Sequence, residues 1–511
     1  MQLILKHKWE ILTAIVLAVV YFFLRLVFLD RLPIFTDEAI YLRWAQIALH
    51  DSSWRFISLT DGKQPMYVWV AMIMIKFIHD PLIAGRLVSV GTGFLTMLGL
   101  FALTYELFKN KRAAFLVAVL YIVYPFAQVL DRMALYDSMV ATFYVWALYI
   151  SVLLVRRIRL DIAYTLGFII GGGMLTKSSN IFSIYLMPFL LILFDFKQKL
   201  VKKKLVNFIL FSGFAAAISY GLYNILRLSP LYSMIAIKNA TFVYPFSEWI
   251  HHPFTYFFGN FSGLSSWLLQ YLTPAYLILI LVAILFVNKF FREKVILLLY
   301  FALPFVALAL FGKLIYPRHM FLMSVMLLPL AAWSLNFFFE ESEKLFSKSK
   351  YITRVAQLLL LIVVIAYPLY VSIFFAVNPL KAPIADEDHG QYVNGWAAGW
   401  GVKESVAFFE QQAQTQKIFV ATEGNFGLMP ESLELYMINN KNITIKGYWP
   451  VDIFPKDALS YAQKMSSYFV FYQPQHQIIP SDFPLKLVFQ VRQGETNNFY
   501  RVYKIIPSNQ K

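Results

Sequence analysis

The sequence contains no cysteine. That excludes disulfides and thiolate metal sites but leaves the compartment undecided. Charge is scarce as well. Only 14% of the 511 residues are Asp, Glu, Lys or Arg, whereas soluble domains carry about a quarter. Acids are the scarcer sign, 29 against 45 bases, giving a formal charge of +16. No internal repeat or low-complexity linker breaks the chain. What abounds is apolar: 59% of the residues are hydrophobic and 18% aromatic. Such a composition belongs to a membrane protein.

Apolar runs of about 17–25 residues, each long enough to cross a bilayer as a helix, recur through the first three quarters of the chain. They predict spans near 11–29, 82–106, 113–130, 138–155, 161–176, 180–196, 206–226, 267–287, 295–312, 319–338 and 356–376. The first lacks a small-residue cleavage site and reads as a retained helix. The segment 66–78 is short and interrupted by Lys76, which suits a surface or re-entrant helix. Bases cluster between spans, at Lys109/Lys111/Arg112, Arg156/Arg157/Arg159, Lys197 to Lys204, Lys289/Arg292/Lys294 and Lys344 to Arg354. Lysine and arginine near span ends resist translocation, so these clusters mark cytoplasmic loops rather than a nucleic-acid surface. Eleven spans then put the amino terminus inside and the carboxyl terminus outside.

The outer side receives the first loop (30–81), the connections DRMALYD, TKSS and GKLIYPRH, a long loop near 227–266 and the tail. From about Val377 the chain becomes more polar. KIFVAT, SSYFVFY and LKLVFQV read as strands, VKESVAFFEQQA and KDALSYAQKM as helices. The expected architecture is a multi-pass α-helical membrane domain over 1–376, with outer-face juxtamembrane helices, and an extracytoplasmic α/β domain over 377–511.

Within FTDEAIYLRW, Asp37 and Glu38 open a helix beside the membrane. Acids there complement the helix dipole, with Thr36 as another possible cap. They also suit general-base chemistry, and spacing alone leaves both readings open. Asp61, Lys63, Arg132, Asp137, Lys177, Arg318 and His319 all fall at outer span mouths. A single loop cation is ordinarily a headgroup anchor, whereas several beside carboxylates suit gripping a phosphate and deprotonating a nucleophile. Asp37 and Asp137, with Glu248, His251 and His252, offer possible metal ligands, but adjacent histidines point different ways on a helix. Asp386 to Asp388 read as a solvated turn.

The ordered set FTDEAIYLRWA, GKQPMYVW, AGRLVSVGTGFLTMLGL, DRMALYDS, LTKSS and YPRHMFLMSVMLLPLA resembles the GT-C membrane glycosyltransferases. The nearest branch is that of the protein O-mannosyltransferases of family 39 and the lipid A aminoarabinose transferases. Tail segments QYVNGWAAGWGVKES and NFGLMPESLELY also resemble bacterial members with an extracytoplasmic domain. The resemblance implies an inverting transferase in a prokaryotic plasma membrane. It would move a sugar from a polyprenyl-phosphate donor to a hydroxyl of a protein, lipid or glycan on the outer face, without a required metal or other cofactor. It makes Asp37 the catalytic aspartate, a general base on the acceptor hydroxyl or at least its orienter, makes Glu38 its structural neighbour, and places Lys63, Arg132 and Arg318 on the donor phosphate. Asp137 would support Arg132 or the acceptor. One departure stands: Gly62 and Gln64 flank Lys63 where relatives carry an acid and a proline, with Pro65 retained and Asp61 as a possible substitute acid. The alternative is a transporter or flippase of polyprenyl-linked sugars. Such proteins usually keep ionisable groups at midplane, and here they lie at span ends.

Overall fold

The computed structural model describes residues 7–472, 475 and 478–506. All eleven expected spans fall on helical segments. Eight are long and apolar enough to cross a membrane: Lys8–Leu26, Pro81–Phe108, Tyr136–Arg157, Val201–Leu228, Phe257–Leu285, Phe291–Phe311, Pro317–Leu345 and Lys350–Val377. The other three are shorter or broken. Lys111–Val123 stops at Tyr124, because Pro125 cannot continue the hydrogen-bond ladder and starts a new turn, Pro125–Leu130. Leu160–Thr176 has 17 residues, and Ser178–Leu193 mixes α and 3₁₀ turns. Met66–Ile75 is a separate helix of ten residues, as its length and Lys76 predict.

Many large apolar side chains face outward, among them Val19, Phe23, Leu358, Leu359 and Val363. A water-soluble fold does not leave such a continuous apolar exterior, whereas lipid covers it without cost. The chain is a multi-pass membrane protein.

The basic clusters gather at one end of this bundle. Lys111 pairs with Glu10 at 2.7 Å, Arg112 with Glu343 at 2.6 Å, and Arg156 with both Glu106 and Glu293 at 2.9 and 3.1 Å. These contacts join the ends of six spans. The acids and cations of the loops expected on the outer side assemble at the opposite end.

There the first loop is fixed by a buried ion pair. Glu38, in the first turn of helix Thr36–His50, accepts from Arg86 Nε and Nη2 at 2.9 and 2.8 Å. Arg86 also donates to the carbonyls of Leu29, Leu32 and Pro33, and Glu38 accepts from the backbone amides of Phe35 and Ala134. Both side chains are fully buried and each spends its polar capacity, the condition under which such a pair is tolerable. A second buried network joins Arg25 to Asp131 at 3.2 Å, with Tyr21, Tyr121 and Ser138 also donating to that carboxylate. Gly93 lets it close: a Cβ there would lie 2.3 Å from Asp131 Cγ.

After Val377 the chain builds a five-stranded sheet, β1 (Ile418–Glu423), β2 (Ile443–Tyr448), β3 (Ser466–Phe471), β4 (Leu485–Arg492) and β5 (Phe499–Ile505), in the order β2-β1-β3-β5-β4. The first three are parallel and β5 runs antiparallel to β3 and β4. Expected strands β1, β3 and β4 and helices Val402–Ala413 and Lys456–Ala462 are present. Strands β2 and β5 were not among the expected ones, although ITIKGY and FYRVYKI alternate polar and apolar residues as half-buried strands do. Side chains alternate across the sheet. Ile418, Val420, Tyr468, Val470 and Val502 join the core shared with the bundle, while Phe419, Ala421, Phe469 and Phe471 form a second core under helix Lys456–Ala462.

Replacing Arg86 by Met would leave Glu38 buried and uncompensated. A destabilisation of about 3–5 kcal/mol is expected, read as a lowered melting temperature or loss of folded protein in detergent.

Candidate active site

A cavity of about 450 Å³ lies at this loop-bearing end of the bundle. One side is apolar, formed by Pro304, Ala307, Leu308 and Phe311 from a single helix face, with Phe182 and Phe242 opposite. The other side is polar and holds Lys63, Lys177, Lys238, Arg318, Asp137 and His319. The cavity is therefore amphipathic end to end.

Asp37 stands directly behind this polar wall with its side chain 15% exposed. It does not line the cavity itself; three residues that do all reach it. Arg318 Nη1 donates to Asp37 Oδ2 at 2.8 Å, and Tyr41 OH donates to the same oxygen at 3.0 Å. Lys63 Nζ donates to Tyr41 OH at 2.7 Å and lies 3.7 Å from Asp37 Oδ1. Burial alone would raise the Asp37 carboxyl, but Lys63 and Arg318, with the Tyr41 bond, outweigh it and hold it far below the usual carboxylate range. The Lys63 ammonium is drawn down, chiefly by burial, despite Asp37 and Asp61.

The remaining charges alternate in sign. Asp61 accepts from Lys238 at 2.6 Å and lies 3.7 Å from Lys63. Asp137, in the first turn of helix Tyr136–Arg157, accepts from Lys177 at 2.7 Å. His319 Nδ1 accepts from the Tyr316 amide at 3.3 Å. Gly62 makes this packing possible. It sits at φ +64, and a Cβ there would lie 2.3 Å from the Met234 carbonyl and 2.5 Å from Lys238 Cβ. Glycine before Lys63 therefore lets helix Met234–Phe242 of the long loop close over the site, where Lys238 reaches Asp61.

Sequence reasoning and geometry part company at several residues. Arg132 is not brought to the cavity. It donates to the carbonyls of Leu24, Arg25 and Phe28, capping the end of the first helix, and Asp137 pairs with Lys177 instead. Thr36 is not a cap; its hydroxyl donates to Ala397 in the tail. Asp386 to Asp388 do not form a solvated turn, because Asp388 is fully buried and accepts from Tyr271 OH at 2.5 Å. Burial pushes Asp388 up to about 7, opposed by the Tyr271 bond and by Arg318. His252 lies 3.9 Å from Glu248 and neither approaches the acids of the site closely enough to form a cluster; among the described residues no three acids or histidines gather at metal-ligand spacing.

Lys238, Tyr41 and Arg86 escaped sequence reasoning. Lys238 sits in a loop without a local pattern, and Tyr41 and Arg86 look like ordinary members of apolar helices. The tail contributes to the site through backbone. Thr36 N donates to Ala397 O at 3.0 Å and Gly399 N to Ile34 O at 2.7 Å, so the strand-like segment preceding Asp37 is paired with the tail. Tyr392 packs edge-on against Phe35 at 4.9 Å, and Arg318 lies over the same Phe35 ring.

The fold is that of the GT-C membrane glycosyltransferases, and the resemblance read from the loop motifs holds. Residues 62–222 match the family described as dolichyl-phosphate-mannose-protein mannosyltransferase. ArnT from Cupriavidus metallidurans in the apo state superposes over 98% of this chain and 99% of its own, with a TM-score of 0.60 at 14% identity. The same protein bound to undecaprenyl phosphate covers the same shares, with a TM-score of 0.57 at 15% identity. The archaeal oligosaccharyltransferase AglB from Archaeoglobus fulgidus, in complex with an inhibitory peptide and a dolichol-phosphate, covers 91% of this chain and 69% of its own. Its TM-score is 0.55 at 15% identity. No curated protein matches by sequence.

Asp388 gives a pH prediction. Its pKa is raised in the fold, so between about pH 4 and 7 the folded chain holds a proton that the unfolded chain has lost. The associated stability is present below that window and falls as pH rises through it. Asp388→Asn should match wild type near pH 4 and exceed it by about 4 kcal/mol above pH 7, seen in melting curves across that range.

Proposed function

We propose that this chain transfers a sugar from a polyprenyl-phosphate carrier to an acceptor hydroxyl, with inversion at the anomeric carbon. The observation that carries this reading is the amphipathic cavity, in which an apolar helix face leads to four cations tied to Asp37, Asp61 and Asp137. A polyprenyl phosphate has the same two-part chemistry, with a long apolar tail ending in an anion. The undecaprenyl phosphate of the structurally similar ArnT and the dolichol-phosphate of AglB support the assignment.

Lys63 and Arg318 hold the donor phosphate in this scheme. Charge accumulates on that phosphate as the glycosidic bond breaks, and preformed cations in a partly dry site offset it. The acceptor oxygen attacks the anomeric carbon from the face opposite the phosphate, and its proton passes to Asp37 Oδ. The products are the glycosylated acceptor and polyprenyl phosphate.

The resting ion pairs make Asp37 a weak base, because its carboxylate is stabilised by the same two cations. A donor phosphate competes for Lys63 and Arg318. As those groups turn to it, the field on Asp37 weakens and its basicity rises. Donor binding thus prepares the base, which keeps Asp37 inert until a leaving group is in place. The basic clusters at the opposite bundle end support an outer-face site, since lysine and arginine near span ends resist translocation. The tail domain pairs with the segment before Asp37 and so helps hold that residue in place.

The transporter reading requires charged groups along a path through the membrane. The buried Arg25–Asp131 network is closed upon itself and does not line the cavity, which favours chemistry over passage.

In nanodiscs with labelled polyprenyl-phosphate sugars and a membrane extract, Asp37→Asn should lower turnover by about 10²–10⁴-fold with donor affinity nearly kept. Lys63→Met should instead weaken donor binding at least about tenfold. Arg132→Ala should lower the melting temperature while changing donor affinity less than about twofold. Turnover by Asp37→Asn equal to wild type, or donor binding without turnover across the panel, would point to a transporter.

A further inference from the structure

Among the described residues the Arg318 guanidinium donates one hydrogen bond, to Asp37, although its fork carries five donors. It lies over the Phe35 ring at 5.7 Å, and Tyr392 of the tail packs edge-on against the same ring. Asp388 stands one turn before Tyr392. Its Oδ2 accepts from Tyr271 OH, while Oδ1 is buried without a partner. The Tyr392 hydroxyl beside it is buried and also unpartnered. Tyr271 is itself held, since its ring stacks on Phe126 at 4.1 Å. The acid is thus fixed behind Arg318, whose charge reaches both it and Tyr392. A buried carboxylate with half its acceptor capacity unused is a poor structural fastening, and none of these tail groups has a part in the reaction proposed above.

We infer that Asp388 is a positioning residue for Arg318: through its own charge, with Tyr392 between them, it sets how much of that guanidinium is left for a donor phosphate. The inference rests on the transferase reading and adds a control on it from the tail. A neutral Asp388 leaves Arg318 to Asp37 and the phosphate. An ionised Asp388 is a further counter-charge beyond Phe35, so the phosphate meets a partly neutralised cation. Its negative potential also extends to Asp37, which becomes the stronger base. Ionisation therefore weakens donor binding without lowering turnover once the donor is bound.

The groups that face Asp388 are Tyr271 from helix Phe257–Leu285, Glu387 and Tyr392 from its own segment, and Arg318. Burial outweighs them and pushes the acid up to about 7, so its charge changes near neutral pH. Asp37 stays ionised there, and a phosphodiester donor keeps its single charge. Lys63, drawn down by burial, adds a dependence of its own that a change at Asp388 leaves in place.

The test measures dissociation constants of a polyprenyl-phosphate hexose on the full chain in detergent between about pH 6 and 8.5. For wild type the constant should rise about three- to tenfold more over that range than for Asp388→Asn, which keeps the Tyr271 bond and stays neutral. Tyr392→Phe removes a hydroxyl that bonds nothing in the fold but would turn to the ionised carboxylate. It should move the wild-type midpoint up by about 0.4–1 pH unit, and it decides the matter if Asp388→Asn does not fold. At saturating donor and high pH, kcat of wild type should not fall below that of Asp388→Asn, a split between binding and turnover that a merely structural role does not produce. Parallel binding curves for wild type and Asp388→Asn overturn the inference, as does an unmoved midpoint in Tyr392→Phe. If the hexose donor binds and the curves are parallel, only the role of Asp388 fails. If it binds at no pH, the transferase reading fails as well.

Discussion

The pair formed by Glu38 and Arg86 is the constraint on which the site depends. Arg86 belongs to a spanning helix and Glu38 to the first loop, so their two hydrogen bonds fasten the loop to the bundle. The remaining guanidinium protons collect the carbonyls of Leu29, Leu32 and Pro33, where the first span ends. The remaining carboxylate capacity takes the amides of Phe35 and Ala134, and the latter belongs to the turn that leads to Asp137. A fully satisfied buried pair has one favourable geometry, because any rotation strands a charge in low dielectric. Asp37, next in the chain, inherits that rigidity.

Around this anchor the charges are arranged so that each carboxylate of the site has a cation and each cation faces the cavity. Asp37 shares Arg318 and Lys63, Asp61 shares Lys63 and Lys238, and Asp137 holds Lys177. The arrangement keeps a strongly basic wall folded without a ligand. In the proposed reaction an incoming phosphate would draw on cations already engaged, so that its binding and the activation of Asp37 would be one electrostatic event.

The tail bears on the same helix from the other side. Arg43 pairs with Glu434 at 2.8 Å and Gln46 donates to the Leu435 carbonyl, while Ala397 and Gly399 pair with the residues before Asp37. The shared core between sheet and bundle makes the tail part of the scaffold that positions the site.

What the sequence determined by itself was periodic or repeated. Long apolar runs with few charges can only be spans, and basic clusters between them order the loops by side, so the bundle and its two ends were legible. The loop motifs carried Asp37, Lys63, Asp137, Lys177, Arg318 and His319 to one surface. What only the tertiary structure decided was partnership. Arg132 and Lys63 are both loop-end cations in the sequence, but one caps a helix and the other faces the cavity, because the turn after Leu130 points inward against the first span. Arg86 and Asp388 read as an ordinary helix residue and a solvated acid, but both are buried, for their neighbours come from segments about 50 and 117 residues distant. Lys238 joins Asp61 across 177 residues of chain, and Gly62 makes room for it. The energy of a charge depends on the dielectric and the counter-charge around it, and neither is a property of local sequence.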